Sequence, residues 1–232
     1  MSLNKFVPDV SSINMAYLLG IFLTDGYAGK EGVRLRTIDK DIAERFCDIG
    51  FELFGKCSKI HKFANNSGDK HKRQDFYEVV IYSVQLSRWL KDMTNSKKNI
   101  PEFAFQMNDI WLKEFLAGIL DGDGWCSVNY KRKNNNPTDR LDWYATIGFC
   151  GIKDSYVVQS ESLLQSLGVQ YSKYTKILDS GLELVEYKIK VSSFIQNSLY
   201  FNCNRKQQKV ELIKLHSIGQ RYNTDWNKGN SK

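Results

Sequence analysis

Apolar residues follow two rhythms along this chain, and their alternation predicts its elements in order. Ile13 to Thr24 is apolar almost throughout and predicts a buried helix, introduced by the turn and capping residues Pro8-Asp9 and Ser11-Ser12. Tyr27-Ala28 and Val33 to Thr37 follow as a hairpin about Gly29-Lys30-Glu31-Gly32. In Val33-Arg34-Leu35-Arg36-Thr37 the period of two puts both arginines on one wet face. Asp39 to Phe54 carries Ile42, Phe46, Ile49 and Leu53 at helical spacing and stops at Gly55, as a glycine C-cap should. Lys59 to Phe63 and Phe76 to Ser83 predict strands joined by a polar loop over 64–74. A helix through Leu86 to Met93 closes the series, and Lys97-Lys98-Asn99-Ile100-Pro101 breaks it.

The series then recurs. A second apolar helix runs to Gly124, followed by strands over Trp125 to Tyr130 and Trp143 to Cys150 with the loop 131–139 between them. Next come a helix over Asp154 to Leu167 stopped by Gly168, strands over Tyr171 to Ile177 and Leu184 to Val191, and a short helix around Phe194 to Leu199. In Tyr187-Lys188-Ile189-Lys190-Val191 two lysines share a face. The offset between the halves is 98 at Asp25 and Asp123 (123 − 25), and 113 at both Asp41/Asp154 (154 − 41) and Gly55/Gly168 (168 − 55). The extra residues fall in the 131–139 loop. We read an α+β internal duplication of two αββαββα units, 1–100 and 101–232. The tail with Arg221, Lys228 and Lys232 is expected to be disordered.

Each half is anchored on one stretch: Leu18 to Gly26 in the first, Leu116 to Gly124 in the second. Glycine and alanine along an apolar helix let another helix come very close. If the two helices pack side by side in the same direction, Asp25 and Asp123 arrive together at one end. An acid at a helix C-terminus opposes the helix dipole, so two coincident cases point to a nearby metal. Two carboxylates beside a basic surface make a divalent-metal site suited to hydrolysing a phosphodiester. Asp121, two positions earlier, is read as capping or packing support.

The charge balance agrees with that chemistry. The 232 residues hold 33 basic and 26 acidic side chains, a net +7, which favours polyanionic partners. Strand and loop positions supply the candidate DNA contacts: Arg34, Arg36, Lys59, Lys188 and Lys190 on strands, with Lys131, Arg132, Lys133 and Arg140 on the loop. No secretory pattern or membrane span is evident, so an intracellular protein without membrane association is expected. The five cysteines are scattered without a C-x-x-C, which reads as reduced thiols.

Leu116-Ala117-Gly118-Ile119-Leu120-Asp121-Gly122-Asp123-Gly124 resembles the motif of the LAGLIDADG homing endonucleases. Leu18 to Gly26 is similar to the second copy carried by their single-chain members, with Leu23 and Thr24 departing from the ideal. The resemblance covers almost the whole chain. It implies a pseudo-twofold fold with the motif helices at the interface and two antiparallel sheets forming a DNA-binding saddle. It further implies a monomeric endonuclease that cuts both strands of a long target, leaves 3′ overhangs and promotes intron mobility.

Asp25 and Asp123 would hold Mg²⁺ or Mn²⁺, with the carbonyls of Thr24 and Gly122 as further ligands and Ca²⁺ as a non-cleaving substitute. The Lys98-Asn99-Ile100-Pro101 block is similar to the one that carries an active-site lysine, a role that falls to Lys98. Lys206 takes the comparable place in the second half, with Arg205 as its alternative. Two other functions remain open on this scaffold: a splicing cofactor for intron RNA and a catalytically inactive DNA-binding regulator. An intein is not expected, since the chain opens with Met1 and shows neither a splicing block at its start nor a terminal His-Asn pair.

Overall fold

A computed structural model describes residues 8–64, 74–132 and 141–221. Two helices form its centre: α1 (Ile13–Thr24), with ten of its twelve residues buried, and α4 (Asp109–Asp123). They meet backbone to backbone. A Cβ on Gly20 would lie 2.2 Å from the Phe115 carbonyl oxygen, and one on Gly118 would lie 2.6 Å from that of Tyr17. Only glycine permits this approach, and it fixes where both helices end.

Each central helix leads into a four-stranded antiparallel sheet. The first sheet holds β1 (Gly26–Ala28), β2 (Val33–Thr37), β3 (His61–Phe63) and β4 (Phe76–Ile81), in the order β1-β2-β4-β3. The second holds β5 (Gly124–Arg132), β6 (Leu141–Ile152), β7 (Tyr171–Ile177) and β8 (Glu183–Ile189), in the order β5-β6-β8-β7. The identical strand order is what an internal duplication produces. Alternation sets the faces: Val33, Leu35, Val79 and Ile81 of the first sheet and Ile147, Phe149, Val185 and Tyr187 of the second enter the core, while Arg34, Arg36 and Lys188 stay outside it.

Helix α2 (Lys40–Phe54) ends at Gly55 with φ +66°, and α3 (Val84–Met93) is capped by the Ser83 hydroxyl, which accepts from the Leu86 N–H at 3.1 Å. The two halves are also tied at a distance from the helix ends. Arg45 of α2 pairs with the buried Glu114 of α4, which also accepts from the Tyr200 hydroxyl.

Several elements depart from the sequence reading. The helix expected over Asp154 to Leu167 splits into a 3₁₀ turn, Tyr156–Val158, and a short α5, Ser160–Ser166. At the start of the 3₁₀ turn the Tyr156 N–H donates to the Lys97 carbonyl at 3.3 Å, a contact between the two halves. Strand β8 stops at Ile189 and α6 (Val191–Gln196) begins at once, so Lys190 is a helix N-cap and not a strand residue. Lys59 lies ahead of β3, exposed, where a strand position was expected.

Lys131 and Arg132, expected in a loop, form the end of β5 opposite Asp142 and Leu141. Lys133 and Arg140 lie outside the described residues. Helix α7 (Asn204–Arg221) has no counterpart in the sequence reading, which placed Arg221 in a disordered tail; Lys228 and Lys232 lie outside the described residues. Among its described side chains the apolar ones buried are Val210 and Ile213, within a lysine- and glutamine-rich sequence, too weak an apolar stripe to signal a helix. All five cysteines are free thiols, and no helix among the described residues is long and apolar enough to cross a membrane.

Candidate active site at the paired helix ends

Asp25 caps the C-terminus of α1 and Asp123 is the last residue of α4. Because the glycine contact holds the two helices together, their ends open on one cleft and the carboxylates face each other's charge. Desolvation in the cleft, and then the charge of Asp123, push the Asp25 carboxyl up to about 6. Desolvation also raises Asp123, opposed by a hydrogen bond from the Tyr156 hydroxyl and by the charges of Lys97 and Lys206. Two neighbouring acids at helix C-termini are unfavourable without a compensating cation.

The chain supplies two lysines, one per half. After α3 three successive residues adopt left-handed conformations, Asn95 (φ 46°), Ser96 (φ 55°) and Lys97 (φ 74°). The Thr94 hydroxyl steadies this turn by accepting the Lys97 N–H at 3.0 Å. The turn sends the Lys97 side chain back to the end of α1, where its ammonium donates to the carbonyls of Thr24 and Gly26. Lys98, the residue selected from the sequence, is exposed to solvent. In the second half the buried Lys206 ammonium donates to the carbonyls of Leu120 at 2.9 Å and Asp121 at 2.6 Å. Burial lowers the pKa of both lysines, against the pull of the surrounding acids. Each thus neutralises the negative end of its own half's central helix.

Arg205, the alternative to Lys206, instead makes a two-pronged pair with Asp39, both contacts at 3.0 Å. A cleft of about 400 Å³ is lined by Asp25, Arg36, Asp39, Gly122 and Lys206, among others. The two residues selected for carbonyl ligation adjoin across the helix contact, since a Cβ on Gly122 would lie 2.0 Å from the Thr24 hydroxyl oxygen. Asp121 is buried and accepts from the Tyr17 hydroxyl at 3.0 Å and from the N–H groups of Asn202 and Cys203 at 3.1 and 3.0 Å. Its carboxylate secures the turn into α7.

The sheet faces extend the basic surface outward. Arg34 and Arg36 flank Glu78, and with Asp25 and Tyr27 they border a second depression. The Arg36 guanidinium lies 5.6 Å over the Phe76 ring. Lys188 lies 4.6 Å over the Tyr174 ring and 3.1 Å from Glu186. Sequence reasoning missed Lys97 and Tyr156. The first was one position from the lysine selected, and only the left-handed turn decides between them. The second carries no local signal.

Comparison with known proteins gives the same architecture. Residues 12–94 match a family model described as a LAGLIDADG-like domain. The replication factor C small subunit of Methanocaldococcus jannaschii is 25% identical over 209 residues, which is 81% of this chain and 10% of that protein. The DNA-directed RNA polymerase subunit Rpo1C of the same organism is 29% identical over 140 residues, 58% of this chain and 15% of that protein. The chain therefore spans only a small part of these curated relatives.

Among solved structures, a variant of I-DmoI in complex with its target DNA and in the presence of Mn superposes with a TM-score of 0.52 at 18% identity, over 83% of this chain and 97% of that one. I-SmaMI bound to uncleaved DNA target in the presence of calcium ions gives 0.52 at 14% identity, over 90% and 92%.

Proposed function

We infer that this chain, which carries a LAGLIDADG-like domain and the fold of the LAGLIDADG homing endonucleases, is a site-specific DNA endonuclease that hydrolyses both strands of a long target. One observation carries the reading: two carboxylates come together at the glycine-packed ends of α1 and α4, each helix end held by a lysine, and Asp25 borders a cleft that continues to Arg36 on the first sheet. The similarly folded I-DmoI and I-SmaMI structures, with DNA and with Mn or calcium ions, support it.

The donor set fits a hard divalent cation, because it consists of oxygens alone and its carboxylates repel one another. Asp25 and Asp123 would hold such ions, Mg²⁺ or Mn²⁺, with the carbonyls of Thr24 and Gly122 as further ligands; Ca²⁺ would bind without cleavage. When bound, the ion polarises the scissile phosphate and activates water.

The protein's own groups do the rest. Lys97 and Lys206 place positive charge where negative charge builds up on the phosphate during attack. Arg34, Arg36 and Lys188 reach from the outer sheet faces to phosphates and base edges in the major groove. Lys131 and Arg132 at the end of β5, Lys190 at the start of α6 and Lys59 ahead of β3 add contacts at the margins. The chain acts as a monomer, since 1–100 and 101–232 each supply one half of the site, and its product is a break with 3′ overhangs that promotes insertion of a mobile element.

The test is incubation with a randomised duplex library and Mg²⁺, followed by sequencing of the cut ends. Enrichment of one long motif cut on both strands is expected. Salt-sensitive binding without cutting would assign the chain to inactive regulators, and tight binding to one structured intron RNA would favour the splicing cofactor. On the selected site, Lys97→Met should slow cleavage about 100-fold or more, the typical cost of removing a charge-stabilising donor. Lys98→Met should change it by less than about threefold, as its exposure implies. Single-turnover rates at saturating enzyme distinguish the two.

A further inference from the structure

We propose that Tyr156 is a positioning residue for Asp123 and makes the two halves of the site unequal, so that the Asp123 half binds its cation more tightly and the DNA strand it serves is cut first. This rests on the endonuclease reading above. Tyr156 is buried, and its hydroxyl donates to Oδ2 of Asp123 at 2.7 Å. Its main chain is fixed as well, by the N–H bond to the Lys97 carbonyl at 3.3 Å and by Ser155, whose hydroxyl caps the following turn. The phenol therefore reaches Asp123 from a rigid base, and one carboxylate oxygen is held while the other stays free to ligate.

Nothing equivalent serves Asp25. In the register shared by Asp41/Asp154 and Gly55/Gly168, Tyr156 corresponds to Ala43, a buried methyl with no donor. Among the described residues no group donates a hydrogen bond to the Asp25 carboxylate, and its side chain is open to solvent. The duplication has thus produced one carboxylate with a fixed rotamer and one that must be immobilised when it binds. Supporting hydrogen bonds of this kind orient ligands, and their loss typically weakens metal affinity about 10- to 100-fold.

Tyr156→Phe removes the hydroxyl and keeps the ring and both main-chain bonds. Mn²⁺ binding to the full chain is followed by electron paramagnetic resonance of the free ion, with Asp25→Asn and Asp123→Asn used to assign each class of site. The tighter class should vanish in Asp123→Asn and weaken about tenfold in Tyr156→Phe. On the selected DNA, supercoiled plasmid should pass through a nicked form cut mainly in one strand, and Tyr156→Phe should level or reverse that strand ratio.

Equal Mn²⁺ affinities in wild type and Tyr156→Phe, with an unchanged strand ratio, would overturn the proposal. If neither protein cuts any DNA, the endonuclease reading falls on its own, and the Mn²⁺ titration alone decides whether Tyr156 tunes the Asp123 site.

Discussion

Asp25→Asn and Asp123→Asn should each abolish double-strand cleavage, by about a thousandfold or more, while DNA affinity stays within a few fold of wild type. Asparagine keeps the shape of aspartate but loses the charge that a hard cation needs. Losing metal-derived stabilisation of several kcal/mol slows the chemical step by at least three orders of magnitude. Affinity for DNA comes mainly from cationic contacts to phosphate, and removing an acid from the cleft cannot weaken those. Gel-shift titrations with Ca²⁺ alongside cleavage assays with Mg²⁺ separate the two effects; full activity in either variant would remove both residues from the site.

The same substitution carries a stability signature of opposite sign. Asp25 titrates at about 6 in the folded chain, above the value of about 4 in the unfolded one. The folded state therefore holds the proton more tightly, and stability of the metal-free protein falls as pH rises through this window. Asp25→Asn should match wild type near pH 4 and melt at a higher temperature above pH 6. Because the side chain is open to solvent, the gain is a fraction of what the shift alone implies. A melting temperature below wild type at pH 7.5 with chelator present would contradict the mutual repulsion of the pair.

Gly20→Val should be severely damaging although it lies outside the cleft. Its first added carbon falls 2.2 Å from the Phe115 carbonyl oxygen and 3.1 Å from the Gly118 Cα, both main-chain atoms of the facing helix. Backbone cannot step aside as a flexible side chain can, so α1 and α4 must separate. Overpacking typically costs about 1–3 kcal/mol, and a branched side chain against backbone belongs at or above the upper end. A lower melting temperature is expected together with loss of cleavage, because separating the helices also pulls Asp25 away from Asp123. Wild-type stability and activity in Gly20→Val would show that the helices do not meet there.

Much of this molecule is written in local sequence. The period of two in Val33 to Thr37 located that strand to the residue, and the helical spacing of Ile42, Phe46 and Ile49 located α2 to within one. Gly55 and Gly168 marked helix ends because a left-handed residue is required there and glycine adopts it without strain. The repeat and its paired carboxylates were legible for the same reason, since periodicity, caps and motif order lie within a few residues of each other.

What the sequence could not supply depends on contacts between segments far apart in the chain. Lys97 and Lys98 are equivalent until three left-handed residues turn one toward α1 and leave the other in solvent. Tyr156 matters through Asp123 and Lys97, 33 and 59 positions away. Helix α7 folds against β5 through a weak apolar stripe that includes Val210 and Ile213, so packing rather than its own periodicity defines it. The sequence determined by itself most of the elements, the repeated order and the acids; tertiary structure alone decided α7 and which lysines and which phenol stand beside those acids, because side-chain direction is set by where distant backbone holds the chain.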